Sequence, residues 1–140
     1  MYLYIYDVFL NQKKYFPILN KIENRLADLE IKGKIYRLNL LKNMEEAIAD
    51  GLRQGVNTVV AVGNDLTFAK VVNAVADKDV ILGIIPVEEG SKIAEILGVS
   101  AGEEACDILA QRLVKKLDLG KINKQYFIDS ASIDDRNVCL

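Results

Sequence analysis

From Tyr2 to Arg112 the chain alternates runs rich in β-branched and aromatic residues with amphipathic stretches at helical spacing. That alternation leaves few architectures open. Each apolar strand needs cover on both faces, and a helix between two strands supplies it while bringing the next strand back parallel. Strands are predicted at Tyr2 to Phe9, Lys34 to Leu38, Thr58 to Val62 and Val80 to Ile85. Ile18, Ile22, Leu26 and Leu29 set a helix over Lys14 to Glu30, with Gly33 as its stop. Asn43 is the expected N-cap of a helix from Met44 to about Gln54, with Glu45 and Glu46 favouring its dipole and Gly55 ending it. Further helices are expected at Leu66 to Ala76, Lys92 to Leu97 and Gly102 to Arg112. The predicted class is α/β: a three-layer, mostly parallel sheet with helices on both faces.

The last segment changes character. Leu113 to Leu119 and Lys121 to Ser130 read as two strands joined at Gly120 with no helix between them. Such a pair either extends the sheet edge or opens a second, mostly β domain. Residues 1–120 are therefore expected to form one α/β domain, and residues 121–140 an added edge strand or the start of a truncated second domain. At 140 residues the chain is long enough to bury one sizeable core without a metal or disulfides. Its two cysteines, Cys106 and Cys139, suit a reducing compartment, and the apolar N-terminus lacks a basic leader, so a soluble cytoplasmic protein is expected. Cys106 falls among alanines and leucines, as a small buried residue would.

Histidine is absent from the sequence. No Ser-His-Asp triad, Cys-His pair or histidine-based zinc site can be built within the chain. Charge is unevenly spread: residues 11–42 carry 8 basic and 3 acidic groups, residues 43–110 carry 4 basic and 12 acidic. Every candidate phosphate loop lies in the acidic stretch, which argues against general nucleic-acid binding. The lysine-rich first helix, with Lys13, Lys14, Lys21 and Arg25, reads as a solvated face, or at most as a peripheral membrane contact. Tyr2, Tyr4 and Tyr6 share one face of the first strand, where a packing role is expected.

The chemistry concentrates in Thr58-Val-Val-Ala-Val-Gly-Asn-Asp-Leu-Thr-Phe-Ala-Lys-Val-Val-Asn73, a buried strand, a polar turn and an amphipathic helix. Open α/β sheets bind ligands beyond the carboxyl ends of such strands, where the following helix offers free N–H groups to anions. Gly63 to Thr67 is the first place to look. A plainer local explanation has Asp65 capping the helix and Asn64 in a left-handed turn conformation.

Gly63, Asp65, Thr67 and Val71-Val72-Asn73 resemble the Gly-Gly-Asp-Gly-Thr motif and helix of the diacylglycerol kinase catalytic family, within the NAD-kinase-like superfamily. Leu82-Gly-Ile-Ile-Pro86 is similar to that family's strand ending in proline. Ala94, Leu97, Gly98 and Val99 match the helix after its second nucleotide loop. Leu117-Asp-Leu-Gly-Lys-Ile-Asn123 with Tyr126-Phe127 resembles its entry into a second domain. Four elements in order over residues 56–131 are far more specific than any one. The resemblance implies a Rossmann-like fold, ATP and magnesium as cofactors, and transfer of the γ-phosphate to a lipid hydroxyl.

Both loops depart from the pattern. Asn64 and Leu66 stand where motif glycines are expected, and Glu88, Glu89 and Ser91 stand where a Gly-Thr-x-Asn loop is expected. Leu66 would narrow the approach of phosphate to the backbone. A carboxylate about 5 Å from a phosphate charge costs roughly 3 kcal/mol at an effective dielectric near 20, or about a hundredfold in affinity. Two such residues can abolish ATP binding. The opposing reading has Glu88, Glu89 and Asp65 gathering a divalent cation; the metal question stays open. Gly63, Asn64, Asp65, Thr67, Glu88, Glu89 and Ser91 are accordingly expected to line a former or modified nucleotide site, with no catalytic residue assigned. The chain is expected to be a degenerate lipid-kinase-like domain or, alternatively, a non-catalytic binding or assembly module that kept the fold. A relative of the NAD kinases is the third option. An isolated first domain would expose Ile122, Tyr126 and Phe127 and self-associate, so a homo-oligomer or an absent second domain is expected.

Overall fold

A computed structural model describes residues 1–39, 41, 43–111, 114–122, 125–133 and 138–139, the last three stretches as backbone. In chain order the elements are β1 (Tyr2–Tyr6), α1 (Phe16–Asp28), β2 (Lys34–Arg37), α2 (Met44–Arg53), β3 (Thr58–Gly63), α3 (Asp65–Val75), β4 (Ile81–Pro86), α4 (Lys92–Leu97), α5 (Glu103–Ala110), β5 (Val114–Ile122), β6 (Gln125–Ile133) and β7 (Val138–Cys139). The strands make one sheet in the order β2-β1-β3-β4-β7-β5-β6. The first four are parallel, with Tyr2 opposite Thr58, and Gly63 opposite Pro86. Chain order and sheet order therefore part company between β1 and β3: the connection after β1 runs to one side, and the one after β2 returns across it.

All six residues of β3 are buried. Since alternate residues of a strand point to opposite faces, that burial requires cover on both sides. One layer holds α1 and α5, tied by an ion pair from Arg25 Nη2 to Asp107 Oδ1 at 2.7 Å; α2 and α3 pack together as another. Tyr4 and Tyr6 are fully buried, and the Tyr4 hydroxyl donates to the Ile31 carbonyl. Tyr4 and Tyr6 are thus core, with Tyr2 partly buried against it. Cys106 is also fully buried in α5, and desolvation pushes its thiol up to about 12.

Several boundaries differ from expectation. β1 stops at Tyr6 because Asp7 takes the backbone N–H of Val8 at 2.7 Å and starts a 3-10 turn, so Val8 and Phe9 leave the strand. A second 3-10 turn covers Lys13–Tyr15, and α1 begins only at Phe16, with Pro17 in its first turn. α1 ends at Asp28, with Leu29 as its C-cap, two residues short of the expected Glu30, and Gly33 is not its stop. The residue in the left-handed region is Glu30, at φ 59°. Gly33 answers to a different constraint: a Cβ there would sit 2.2 Å from the carbonyl oxygen of Tyr2. Gly55 does follow α2, at φ 89°.

Gly120 is not the turn between the last long strands. It lies inside β5, paired with Phe127, and the reversal falls after Ile122, where Ile122 pairs with Gln125. β5 and β6 join the sheet through β7, which pairs parallel with β4 and antiparallel with β5. The expected exposure of Ile122, Tyr126 and Phe127 concerns side chains outside those described, as does Arg112, the expected end of α5. Among the described residues no helix is long and apolar enough to cross a membrane.

Candidate functional site

At the carboxyl end of β3, Gly63 hands the chain to α3 through one residue, Asn64. Asn64 is extended, at φ −128° and ψ −172°, not left-handed as expected. It, rather than Asp65, is the N-cap. Its Oδ1 accepts the Thr67 backbone N–H at 3.2 Å, while Thr67 Oγ1 accepts the Asn64 N–H at 3.1 Å, a reciprocal capping box. Gly63 is required by this turn: a Cβ there would lie 2.2 Å from Thr67 Oγ1 and 2.8 Å from its Cβ. What comes close to this glycine is the protein's own threonine.

Asp65, freed from capping its own helix, caps another. Its carboxylate accepts from the Ser91 hydroxyl, from the Lys92 N–H at 3.0 Å and from the Ile93 N–H at 3.3 Å. Ser91 in turn accepts the Ala94 N–H at 3.0 Å, so serine and aspartate together satisfy the start of α4. Burial alone would raise the Asp65 carboxyl. The hydrogen bonds from Ser91, Lys92 and Ile93, with the charge of Lys92, outweigh it and hold the group below the ordinary carboxylate value.

Glu88 and Glu89 lie on the exposed turn after β4. With Pro86, Ser91, Glu95 and Val99 they line a cleft of about 280 Å³, slightly below the usual range for small-molecule sites. Leu66, expected to narrow the approach, is 72% exposed at the mouth of α3. Among the described residues, no three Asp, Glu, Cys or His side chains are grouped so as to hold a metal ion. The expected residues are therefore brought together in two sets: Gly63, Asn64, Asp65 and Thr67 in one turn, and Glu88, Glu89 and Ser91 in the next, joined by the Asp65–Ser91 bond.

Sequence reasoning missed Asp7. It sits at the carboxyl end of β1, 4% exposed, and its Oδ2 accepts the Thr67 hydroxyl at 2.7 Å. Its Oδ1 accepts Val8 N–H and faces Lys70 Nζ at 3.5 Å. A carboxylate closing an apolar strand was visible in the sequence. Its partners, 60 and 63 residues away, depend on β3 lying beside β1.

The sequence matches the diacylglycerol kinase catalytic domain over residues 3–122. It is 35% identical over 77 residues to the diacylglycerol kinase of Bacillus subtilis strain 168, covering 52% of this chain and 25% of that protein. It is 31% identical over 87 residues to the diacylglycerol kinase of Staphylococcus saprophyticus, covering 60% of this chain and 28% of the relative. The crystal structure of a diacylglycerol kinase from Bacillus anthracis strain Sterne is similar at a TM-score of 0.73 and 25% identity, over 90% of this chain and 48% of that one. The chain thus spans 25–28% of the length of these curated relatives and 48% of the solved chain.

Proposed function

The chain belongs to the diacylglycerol kinase catalytic domain family, and we propose that it is a degenerate member: a lipid-kinase nucleotide domain that does not hold ATP and serves as a binding or assembly module. The observation that carries this is the capping of α4 by Asp65. In the motif the chain resembles, these two loops hold ATP. Here the Ser91 hydroxyl and the Lys92 and Ile93 N–H groups are already taken by an internal carboxylate. An incoming phosphate would have to displace that carboxylate and then sit near Glu88 and Glu89, which line the adjoining cleft.

A second reading, ATP-dependent phosphorylation of a lipid hydroxyl with magnesium, draws on one observation. Gly63, Asp65 and Thr67 keep their motif positions and fold into a single strand-to-helix turn. The general base of that reaction would have to come from elsewhere.

Calorimetric titration with ATP and ADP, with and without magnesium, separates the two. The degenerate reading expects no binding at millimolar nucleotide. Micromolar binding that Asp65→Ala abolishes would overturn it in favour of a working nucleotide site.

A further inference from the structure

The strand order places a crevice between β1 and β3 at the point where successive connections leave in opposite directions, the usual ligand-binding place of an open α/β sheet. In this chain Asp7 stands at that point. Asp7 projects from the end of β1, buried with 6% of its side chain exposed, and reaches Thr67 and Lys70 on α3. A buried carboxylate is retained only when its charge is met by donors and a counter-charge, and Asp7 has both: the Val8 N–H, the Thr67 hydroxyl and the Lys70 ammonium. Lys70 Nζ reaches Asp7 from α3, and its side chain is otherwise 57% exposed.

We propose that Asp7 is the built-in anion of this crevice, a specificity-determining residue that engages Lys70 and excludes phosphate-bearing ligands from the β1–β3 switch point. This deepens the reading above, on which it rests for where phosphate would come. It turns on Asp7 at the end of β1, rather than on Asp65 and the glutamates. A phosphate entering here meets a fixed negative charge and finds the Lys70 ammonium already engaged by it. Thr67, whose hydroxyl donates inward to Asp7, has no proton to offer it.

The test is titration of inorganic phosphate into the full chain, followed by backbone amide shifts, for the wild type, Asp7→Asn, Lys70→Met and the double variant. Asparagine keeps the size of the side chain and an acceptor for Val8 while removing the charge. The expected result is phosphate affinity at least about tenfold higher in Asp7→Asn, with shifts centred on residues 64–67 and 70, and loss of that gain in the double variant. Unchanged affinity in a folded Asp7→Asn protein overturns the proposal. So does a gain that survives Lys70→Met, or wild-type phosphate binding that Lys70→Met removes. If Asp7→Asn gives no dispersed spectrum, Asp7→Ser, which keeps a hydroxyl for Val8 or Thr67, serves in the same comparison. ATP binding by the wild type at the β4–α4 loop would sink the degenerate reading and leave this ranking of variants to be decided by itself.

Discussion

At the scale of single residues, Gly63 and Asp65 decide what this site can do. Gly63 is the tighter: a methyl group there meets Thr67, which is fully buried and held by Asp7 and Asn64. Gly63→Ala is expected to cost about 1–3 kcal/mol as an overpacked turn, read as a lower urea midpoint with unchanged slope. Asp65 carries a pH signature. Its folded-state pKa lies below the ordinary value, so its contribution is complete above the unfolded pKa near 4 and disappears as pH falls through the folded value. Wild type should exceed Asp65→Asn in stability at pH 7 by no more than about 1 kcal/mol, the group being partly exposed and screened. Melting temperatures followed downward from pH 7 should converge below pH 4; a gap that persists at pH 2 would mean that the charge is not what Asp65 contributes. Neither role is readable from the local sequence. The spacing of Asp65 from Thr67 allows a cap, but its actual partners stand 26 to 28 residues away on another helix.

Among elements, α3 and α4 are coupled through their first turns. Asn64 closes α3 and Ser91 closes α4, each by the same exchange of a side-chain oxygen for a backbone N–H. Asn64→Ala is expected to cost about 1 kcal/mol, the usual loss for a removed cap. Ser91→Ala removes a cap and a donor to Asp65 together, so a double-mutant cycle with Asp65→Ala should return a coupling of about 0.5 kcal/mol or more in equilibrium denaturation. Simple additivity would mean that the two helices are capped independently. Elements were the most legible level in the sequence, because burial imprints a period of two or of 3.6 on hydrophobicity. β3 and β4 were placed to within a residue or two on that basis. Legibility failed where a polar contact overrides the period. Asp7 ends β1 three residues early, and Gly33 interrupts the pattern because of the Tyr2 carbonyl rather than because a helix stops there.

For the molecule as a whole, Cys106 reports on the packing of α1 against α5. It is fully buried, its sulfur lies 3.8 Å from the Ile22 carbonyl oxygen, and its thiol is pushed up to about 12, so almost none is thiolate at neutral pH. Its alkylation at pH 8, mapped by mass to separate it from Cys139, should follow the fraction unfolded through a denaturant titration. Fast labelling in native buffer would show that α1 and α5 separate without global unfolding. The four parallel strands also impose a schedule on the newborn chain. A parallel pair cannot close as a hairpin, so β1, buried almost along its whole length, has no partner until Lys34–Arg37 has left the ribosome, and its other edge stays open until Thr58–Gly63 follows. During that interval an apolar strand travels with its edges bare, the condition in which nascent chains most often pair with one another. Slowing translation while β1 has emerged and Lys34–Arg37 is still inside the ribosome should therefore raise aggregation of this protein more than the same pause placed after β3 has emerged.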